Sequence, residues 1–222
     1  MNRLFKKMLG AAGALSIVLT CGGFKAEDFS PANFKNYKRE FKSQSIGACS
    51  SSSTKTYEDY RMITATGSRQ YQYIHNHMTV DPTTGLLYNE DGFIGVALGY
   101  AFGEIGTRYY VVLDTGVVLP VVKVDAKASI DATNGCSHDL DSSVVELVID
   151  SDIAFSYFGG GNGLANNGNF NNYEYFRGNI VDFELVLDEK YEEGIIYQDT
   201  MEDDPVKKDA AQDGIQFVEG GF

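Results

Sequence analysis

Residues 117–125 read VVLPVVKVD, and six of the first eight positions carry a branched aliphatic side chain. A short and nearly continuous apolar run of this kind is typical of a strand that is buried on both faces. The preceding Asp114-Thr115-Gly116 is a turn signal. The stretch therefore predicts a central buried strand that ends in a carboxylate, Asp125.

Working outward, further short runs rich in Val, Ile, Tyr and Phe predict more strands. They are separated by turn signals, such as residues 82–85 and 89–92, and no stretch shows sustained helical periodicity. The predicted strands lie at residues 61–66, 70–77, 94–100, 107–113, 144–149 and 180–187. Short, evenly spaced strands favour an all-β fold in a small closed barrel, because closure removes exposed sheet edges.

The composition supports a folded domain and argues against one class of partner. The chain has 222 residues, a hydrophobic fraction of 43% and a net charge of -13 from 31 acidic and 18 basic residues. This apolar content is enough for a packed core, which excludes disorder of the whole chain. Nucleic acid is not expected as a partner, since phosphate binding needs a basic surface.

The N-terminal residues 1–23 have the pattern of a secretory signal peptide. Arg3, Lys6 and Lys7 precede an apolar run of about a dozen residues. This run is too short for a membrane-spanning helix, which needs ~20 apolar residues. Cys21 stands where bacterial lipoproteins carry their lipidated Cys, although Thr20 replaces the usual Gly or Ala. Cleavage without lipidation, after Gly22 or Gly23, fits equally well. Both alternatives predict an extracellular or cell-envelope protein, with membrane anchoring through Cys21 in the first.

Two further cysteines, Cys49 and Cys136, remain after processing. An even pair in an oxidising compartment favours a disulfide, whereas two buried free thiols are the alternative.

The remaining chain divides by composition into a tether, a domain and a tail. Residues 24–56 are polar and predict a tether, with a short amphipathic helix around Phe34, Tyr37 and Phe41 as an alternative. Residues 57–190 carry the β signals, and residues 191–222 form an acidic tail. The Gly/Asn-rich stretch at 159–172 predicts a surface loop.

The order of several short segments resembles the 3D-domain family of double-psi β-barrels, which is related to the RlpA-like and MltA types. The matching segments are ITATGS at 63–68, GVAL at 95–98, IGTRYYV at 105–111, VVKVD at 121–125, VVELVID at 144–150 and a closing strand at 180–187. The resemblance implies a six-stranded double-psi barrel. It also implies work on the cell wall, with peptidoglycan or another wall glycan as the partner.

Some members of this barrel group are peptidoglycan lytic transglycosylases, which need one acidic residue and no metal or cofactor. In such a reaction an acid protonates the leaving oxygen of the glycosidic bond, and the same group then takes a proton from the C6 hydroxyl of the sugar. The resemblance places Asp125 at the catalytic position and Glu146 at the position of a second family acid. The chain departs from the family after Asp125, where Ala126-Lys127-Ala128 replaces the usual Thr-Gly-Gly.

Other side chains are candidates for substrate binding. Tyr109 can stack on a sugar ring, and His138 can share a proton with Asp125. The remaining candidates carry hydroxyl or charged groups suited to glycans, namely Thr64, Thr66, Arg69 and Asp139. His75 and His77 would share a face of a strand, but two His supply only half a metal site, so we expect no metal.

Three functions therefore follow from the sequence. The first is a secreted glycan-cleaving enzyme that uses Asp125 and Glu146, and the second is a non-catalytic wall-binding or envelope-structural domain. The third is a domain whose acidic tail binds a protein or cations.

Overall fold

A computed structural model describes residues 31–159 and 168–190. The predicted signal peptide with Cys21, the centre of the Gly/Asn-rich stretch and the acidic tail lie outside the described residues.

The described chain is mainly β-structure, which confirms the predicted class, and it contains two short α-helices. In chain order the elements are β1 Phe41–Ser45, β2 Thr56–Asp59, α1 Arg69–His77, β3 Thr79–Val80, β4 Leu87–Tyr88, β5 Ile94–Leu98, β6 Arg108–Leu113, β7 Val118–Ala126, β8 Glu146–Ile149, α2 Ser151–Phe158 and β9 Ile180–Lys190. Short 3-10 helices occupy Pro31–Asn36, Tyr60–Met62, Tyr100–Phe102, Phe170–Asn172 and Glu174–Phe176.

Both helices were missed by the sequence prediction, and helix α1 replaces the strand predicted at 70–77. Ser68 caps the N-terminus of the helix, and its hydroxyl accepts a hydrogen bond from the Tyr71 amide. Such a cap satisfies one of the unpaired amides of the first turn and favours a helix over the strand that the Tyr and Ile content suggests. Asp150 caps α2 in the same way, accepting from the amides of Asp152 and Ile153.

All nine strands among the described residues belong to one mixed sheet. The order along it is β1-β9-β6-β7-β5-β4-β3, and β8 pairs with both β5 and β2. The strand predicted from the opening apolar run is β7, and every residue from Val118 to Val124 is buried. Pro120 is tolerated because pairing with β5 begins only at Val121. The sheet thus has β7 and β5 at its centre.

The folded unit begins well before residue 57, so the predicted tether is wrong for residues 34–56. Strand β1 pairs antiparallel with β9, while Phe34 and Phe41 are each only 2% exposed. Lys55 is fully buried, and its Nζ donates to the carbonyls of Ser53 and Gly178. Packing of buried aromatic side chains outweighs the polar composition of this segment.

The chain between β1 and β2 joins two distant parts of the sheet. The Ile180 amide at the start of β9 donates to the Ser52 carbonyl, and β2 then pairs in parallel with β8. The same connection contains Cys49, which forms a disulfide with Cys136 in the β7–β8 connection.

Two apolar clusters lie on opposite faces of the sheet. Strand β5 shows the alternation: Val96 and Leu98 belong to one cluster, and Ala97 belongs to the other together with Val124 and Val148. The second cluster also receives Ile74 of α1, so this helix covers part of that face.

Candidate functional site

Strand register brings the two predicted acids to the same face of the sheet. Ala97 of β5 lies opposite Asp125 of β7 on one side and opposite Glu146 of β8 on the other. Neighbouring strands are about 4.8 Å apart, so the Cα atoms of the two acids are about 10 Å apart across β5.

A β-bulge sets the direction of Asp125. Val96 pairs with Lys123, whereas Ala97 pairs with Asp125, so Val124 is an extra residue in β7. A bulge turns the following side chain towards the other face of the sheet. Without the extra residue, Val124 would lie opposite Ala97, and the side chain of Asp125 would point to the face of Leu98.

Glu58 of β2 joins the two acids and was not among the residues predicted from the sequence. Thr56 pairs with Glu146 and Glu58 with Val148, so the side chains of Glu58 and Glu146 lie on one face. The pKa of Glu58 is raised to about 9, mainly by burial and then by the charge of Asp125, a hydrogen bond with Asp125 and the charge of Glu146. Lys127 acts in the opposite direction.

The Glu58 carboxyl group, next to Asp125, holds a proton at neutral pH because its pKa is raised to about 9. Glu58 Oε1 is buried and meets no protein hydrogen-bond donor among the described residues. Two ionised carboxylates can only accept hydrogen bonds, so they can bond to each other only when one of them is protonated. The raised pKa assigns that proton to Glu58.

Lys127 supplies the positive charge of the group. Its side chain is almost completely buried, and its Nζ lies 3.3 Å from Glu146 Oε2 and 3.3 Å from Ser143 Oγ. A buried ammonium is stable only with such partners. We call Glu58, Asp125, Glu146 and Lys127 the carboxyl cluster.

The carboxyl cluster has the parts that general acid–base catalysis requires. One carboxyl stays protonated at neutral pH and lies against a second carboxyl group. The neighbouring Glu146 carboxylate forms an ion pair with Lys127. Environments that push the pKa values of neighbouring carboxyl groups apart are typical of catalytic acid–base pairs.

Tyr109 is not available for a substrate, contrary to the sequence prediction. It is only 3% exposed, its hydroxyl donates to the Phe102 carbonyl, and its ring packs against Phe102 and Phe183. The aromatic content of the strand was read correctly as β-structure, but the pattern could not tell which tyrosine reaches the surface.

Thr64, Thr66 and Arg69 lie on the segment that follows β2, outside the carboxyl cluster. Both threonines are exposed, and Arg69 forms an exposed ion pair with Glu104. The position of these residues is compatible with ligand contact from the surface, and no contact joins them to the carboxyl cluster among the described residues.

His138 and Asp139 stabilise the connection between β7 and β8. The Nδ1 atom of His138 lies 3.4 Å from Asp141 Oδ1, and Asp139 accepts from the amide and hydroxyl of Thr133. Within the described part of the chain, the structure does not bring His138 into contact with Asp125.

His75 and His77 lie on helix α1, so the expectation that they share a strand face is wrong. Residues two apart on a helix point in nearly opposite directions. Each ring instead packs on the tyrosine four residues earlier, His75 on Tyr71 and His77 on Tyr73.

The sequence carried a weak signal for Glu58. It stands in the alternating stretch Thr56-Tyr57-Glu58-Asp59, which is compatible with a strand that presents Glu58 to one face. The parallel pairing of β2 with β8 brings it to Asp125, and this contact between residues far apart in the chain has no local signature.

Two further features concern residues 31–159 and 168–190. No helix there is long and apolar enough to cross a membrane. No three His, Cys, Asp or Glu side chains are grouped there as a metal ion would require.

Comparisons with family models, with curated proteins and with solved structures find no match for this chain.

Proposed function

We propose that the protein cleaves glycan strands of the cell wall as a lytic transglycosylase. The feature that carries the proposal is the Glu58 carboxyl group, whose pKa is raised to about 9 beside Asp125, on a face that also holds Glu146 and Lys127. A glycosidic bond breaks only when its leaving oxygen is protonated, and a carboxyl group does this at neutral pH only when its pKa is raised.

The proposed reaction uses the Glu58–Asp125 pair as one proton-holding unit. The pair gives its proton to the glycosidic oxygen, which leaves with the electron pair of the broken C1–O bond. The C6 hydroxyl oxygen of the same sugar then bonds to C1, and its proton returns to the pair. The carboxyl pair ends as it began, and no water is consumed.

Glu146 stabilises the positive charge that develops on the sugar ring in the transition state. Its bond to Lys127 holds it in place and keeps the total charge of the cluster low. Electrostatic stabilisation of this kind depends on groups that are already oriented before the reaction.

The proposed fold is a closed six-membered barrel of the double-psi type. Residues 41–59 act as one member, because β1 pairs with β9 and β2 pairs with β8. The other members in ring order are β8, β5, β7, β6 and β9. Two parallel pairs, β2 with β8 and β5 with β7, support this assignment. Strands β3 and β4 are additions outside the ring.

The proposed place of action is the cell envelope. The N-terminal pattern predicts export, either as a lipoprotein anchored through Cys21 or as a secreted protein. The disulfide between Cys49 and Cys136 supports an oxidising compartment.

Incubation of the full chain with purified peptidoglycan tests the proposal, with products identified by mass spectrometry. We expect anhydro-muropeptides from the wild type and at least a 100-fold lower rate for Asp125→Asn and Glu58→Gln. Glu90→Gln, an exposed acid on another loop, is the matched control and should retain full activity. Products without anhydro ends, or equal rates for all variants, would contradict the mechanism.

A non-catalytic wall-binding domain is the second candidate, and the position of Lys127 favours it. Lys127 stands where the resembling family carries Gly, and it bonds to Glu146 at 3.3 Å. Sedimentation with peptidoglycan without any cleavage, unchanged in Asp125→Asn, would support this candidate over the enzyme.

A further inference from the structure

Tyr100 is a large exposed aromatic side chain on the connection that follows β5, the strand between Asp125 and Glu146. It is 59% exposed and follows Ala97, the residue between Asp125 and Glu146, by three positions. Its Cα therefore lies within about 11 Å of the Ala97 Cα. A short oligosaccharide spans such a distance.

Contacts with the Thr133 carbonyl and with Gly135 hold the ring of Tyr100 in one position. Its hydroxyl donates to the Thr133 carbonyl at 3.2 Å. It rests on Gly135, where an added Cβ would lie 2.7 Å from two ring atoms. The Ala101 amide donates to the Gly135 carbonyl at 3.0 Å. One side of the ring is thus packed on backbone, while the side chain remains mostly open to solvent.

The two loops that carry this contact are themselves anchored. An added Cβ at Gly99 would lie 1.9 Å from the Gly135 carbonyl oxygen, so the two backbones are in direct contact. Lys123 Nζ donates to the carbonyls of Gly99 at 2.9 Å and Gly103 at 2.7 Å. Cys136, next to Gly135, is tied to Cys49 by the disulfide. A side chain that is already ordered loses little conformational entropy when a ligand binds.

Two exposed apolar side chains lie on the β7–β8 connection, which also carries Gly135. Ile130 is 81% exposed and Leu140 is 92% exposed. The hydroxyl of Tyr100 is already engaged, so the ring offers a ligand its face and edge. The apolar faces of pyranose rings stack on such surfaces, and a neighbouring carboxyl group provides polar contacts to the sugar.

We propose that Tyr100 is the stacking platform of a saccharide subsite that orients a glycan strand towards the carboxyl cluster. The choice of a glycan as the ligand rests on the proposed function, whereas the platform itself rests on the exposure and fixation of the ring.

Binding measurements separate this proposal from the catalytic one. The full chain carrying Asp125→Asn, in which cleavage is expected to be blocked, is titrated with soluble peptidoglycan glycan fragments to obtain Kd. We expect Tyr100→Ala to weaken binding about tenfold or more, and Tyr100→Phe, which keeps the ring, to remain within about threefold of the parent. Tyr157→Ala is the control. Tyr157 is exposed on α2, which follows the C-terminal end of β8, whereas Glu146 lies at the N-terminal end of that strand.

Unchanged Kd in a folded Tyr100→Ala chain, verified by its Tm, would overturn the proposal, as would the absence of glycan binding by the parent. If Tyr100→Ala does not fold, saturation transfer from tyrosine rings to the sugar in the parent chain decides. Tyr100→Phe is then the control that removes the contribution of Tyr100, and the absence of any transfer that depends on Tyr100 overturns the proposal. Loss of affinity in Tyr100→Ala together with absence of cleavage by the wild type would refute the proposed enzyme and retain the saccharide subsite.

Discussion

At the scale of single residues, the proposed function depends on which carboxyl group holds a proton. Glu58 and Asp125 lie in strands that are distant in the chain, and their contact depends on two features without a local sequence signal. These are the parallel pairing of β2 with β8 and the extra residue Val124 in β7. The position of Asp125 at the end of a buried strand could be predicted, because an acid after an apolar run is a local pattern, whereas its contact with Glu58 could not.

The raised pKa of Glu58 predicts a distinct pH dependence of stability. The folded chain keeps a proton up to about pH 9, whereas the unfolded chain releases it near the ordinary value of 4.5. The folded state thus binds more protons across this window, and the free energy of unfolding falls as the pH rises through it. Glu58→Gln should remove this loss, so its Tm should exceed that of the wild type at pH 8.5 and approach it at pH 5.

Thermal unfolding followed by circular dichroism at pH 5, 7 and 8.5 provides the measurement. Glu90→Gln, which alters an exposed acid, should give a profile parallel to the wild type. A parallel profile for Glu58→Gln as well would contradict the assignment of the proton.

Lys127 is predicted to stabilise the fold by pairing with the acids around it. Replacing it with Met keeps much of the side-chain volume but leaves Glu146 without its cation. Because Lys127 also lowers the pKa of Glu58, its loss should raise that pKa further. We expect Lys127→Met to cost about 1–3 kcal/mol at pH 8 and less at pH 5, where carboxyl groups begin to protonate. Chemical denaturation at the two pH values measures the difference, and an equal or higher stability at pH 8 would refute this role.

At the scale of elements, local capping determines whether a short segment forms a helix or a strand when its apolar pattern fits both. Residues 70–77 have the composition of a strand, yet the Ser68 cap begins a helix there. The apolar run of β7 had no such competing signal and was predicted correctly. Short segments with Tyr and Ile fit either structure, so the pattern alone could not separate them.

The disulfide is predicted to stabilise the fold by linking the β7–β8 connection to the β1–β2 connection. Cys49 and Cys136 are separated by 87 positions, and closing a loop of this size stabilises a fold by about 4 kcal/mol. The double variant Cys49→Ser/Cys136→Ser should therefore unfold roughly 10 °C lower than the wild type.

Thermal unfolding with and without a reductant tests this, because Cys49 is exposed to it. Reductant should lower the Tm of the wild type to that of the double variant and leave the double variant unchanged. A wild-type Tm that is insensitive to complete reduction would contradict the prediction.

At the scale of the whole molecule, the N-terminal segment is part of the fold and not a spacer. Composition could not reveal this, because its polar residues resemble a linker while two phenylalanines, Phe34 and Phe41, are buried at 2% exposure. The same segment supplies Lys55, whose pKa burial lowers to about 8. The net charge of -13 is also uneven, since residues 182–222 alone hold 13 acidic and 3 basic residues.

A chain that begins at residue 57 is therefore predicted not to fold cooperatively, although the sequence pattern suggests that boundary. It lacks β1, Cys49 and two buried phenylalanines, each worth about 1.5–3 kcal/mol. Together with the disulfide, this loss is comparable with the 5–15 kcal/mol of a typical domain. A chain that begins at residue 31 is the control and should unfold in one sharp transition. A sharp transition in both chains, measured by circular dichroism, would contradict the prediction.

The protonation of Glu58 is the central claim, and a direct titration tests it. Carbon-13 NMR of the side-chain carboxyl groups of the full chain, with Glu58→Gln used for assignment, follows each group from pH 4 to pH 10. We expect Glu58 to titrate near pH 9 and Asp125→Asn to lower this value, because the charge of Asp125 raises it. A midpoint near the ordinary 4.5 in the wild type would show that no proton is held at neutral pH, and the proposed acid–base mechanism would then be wrong.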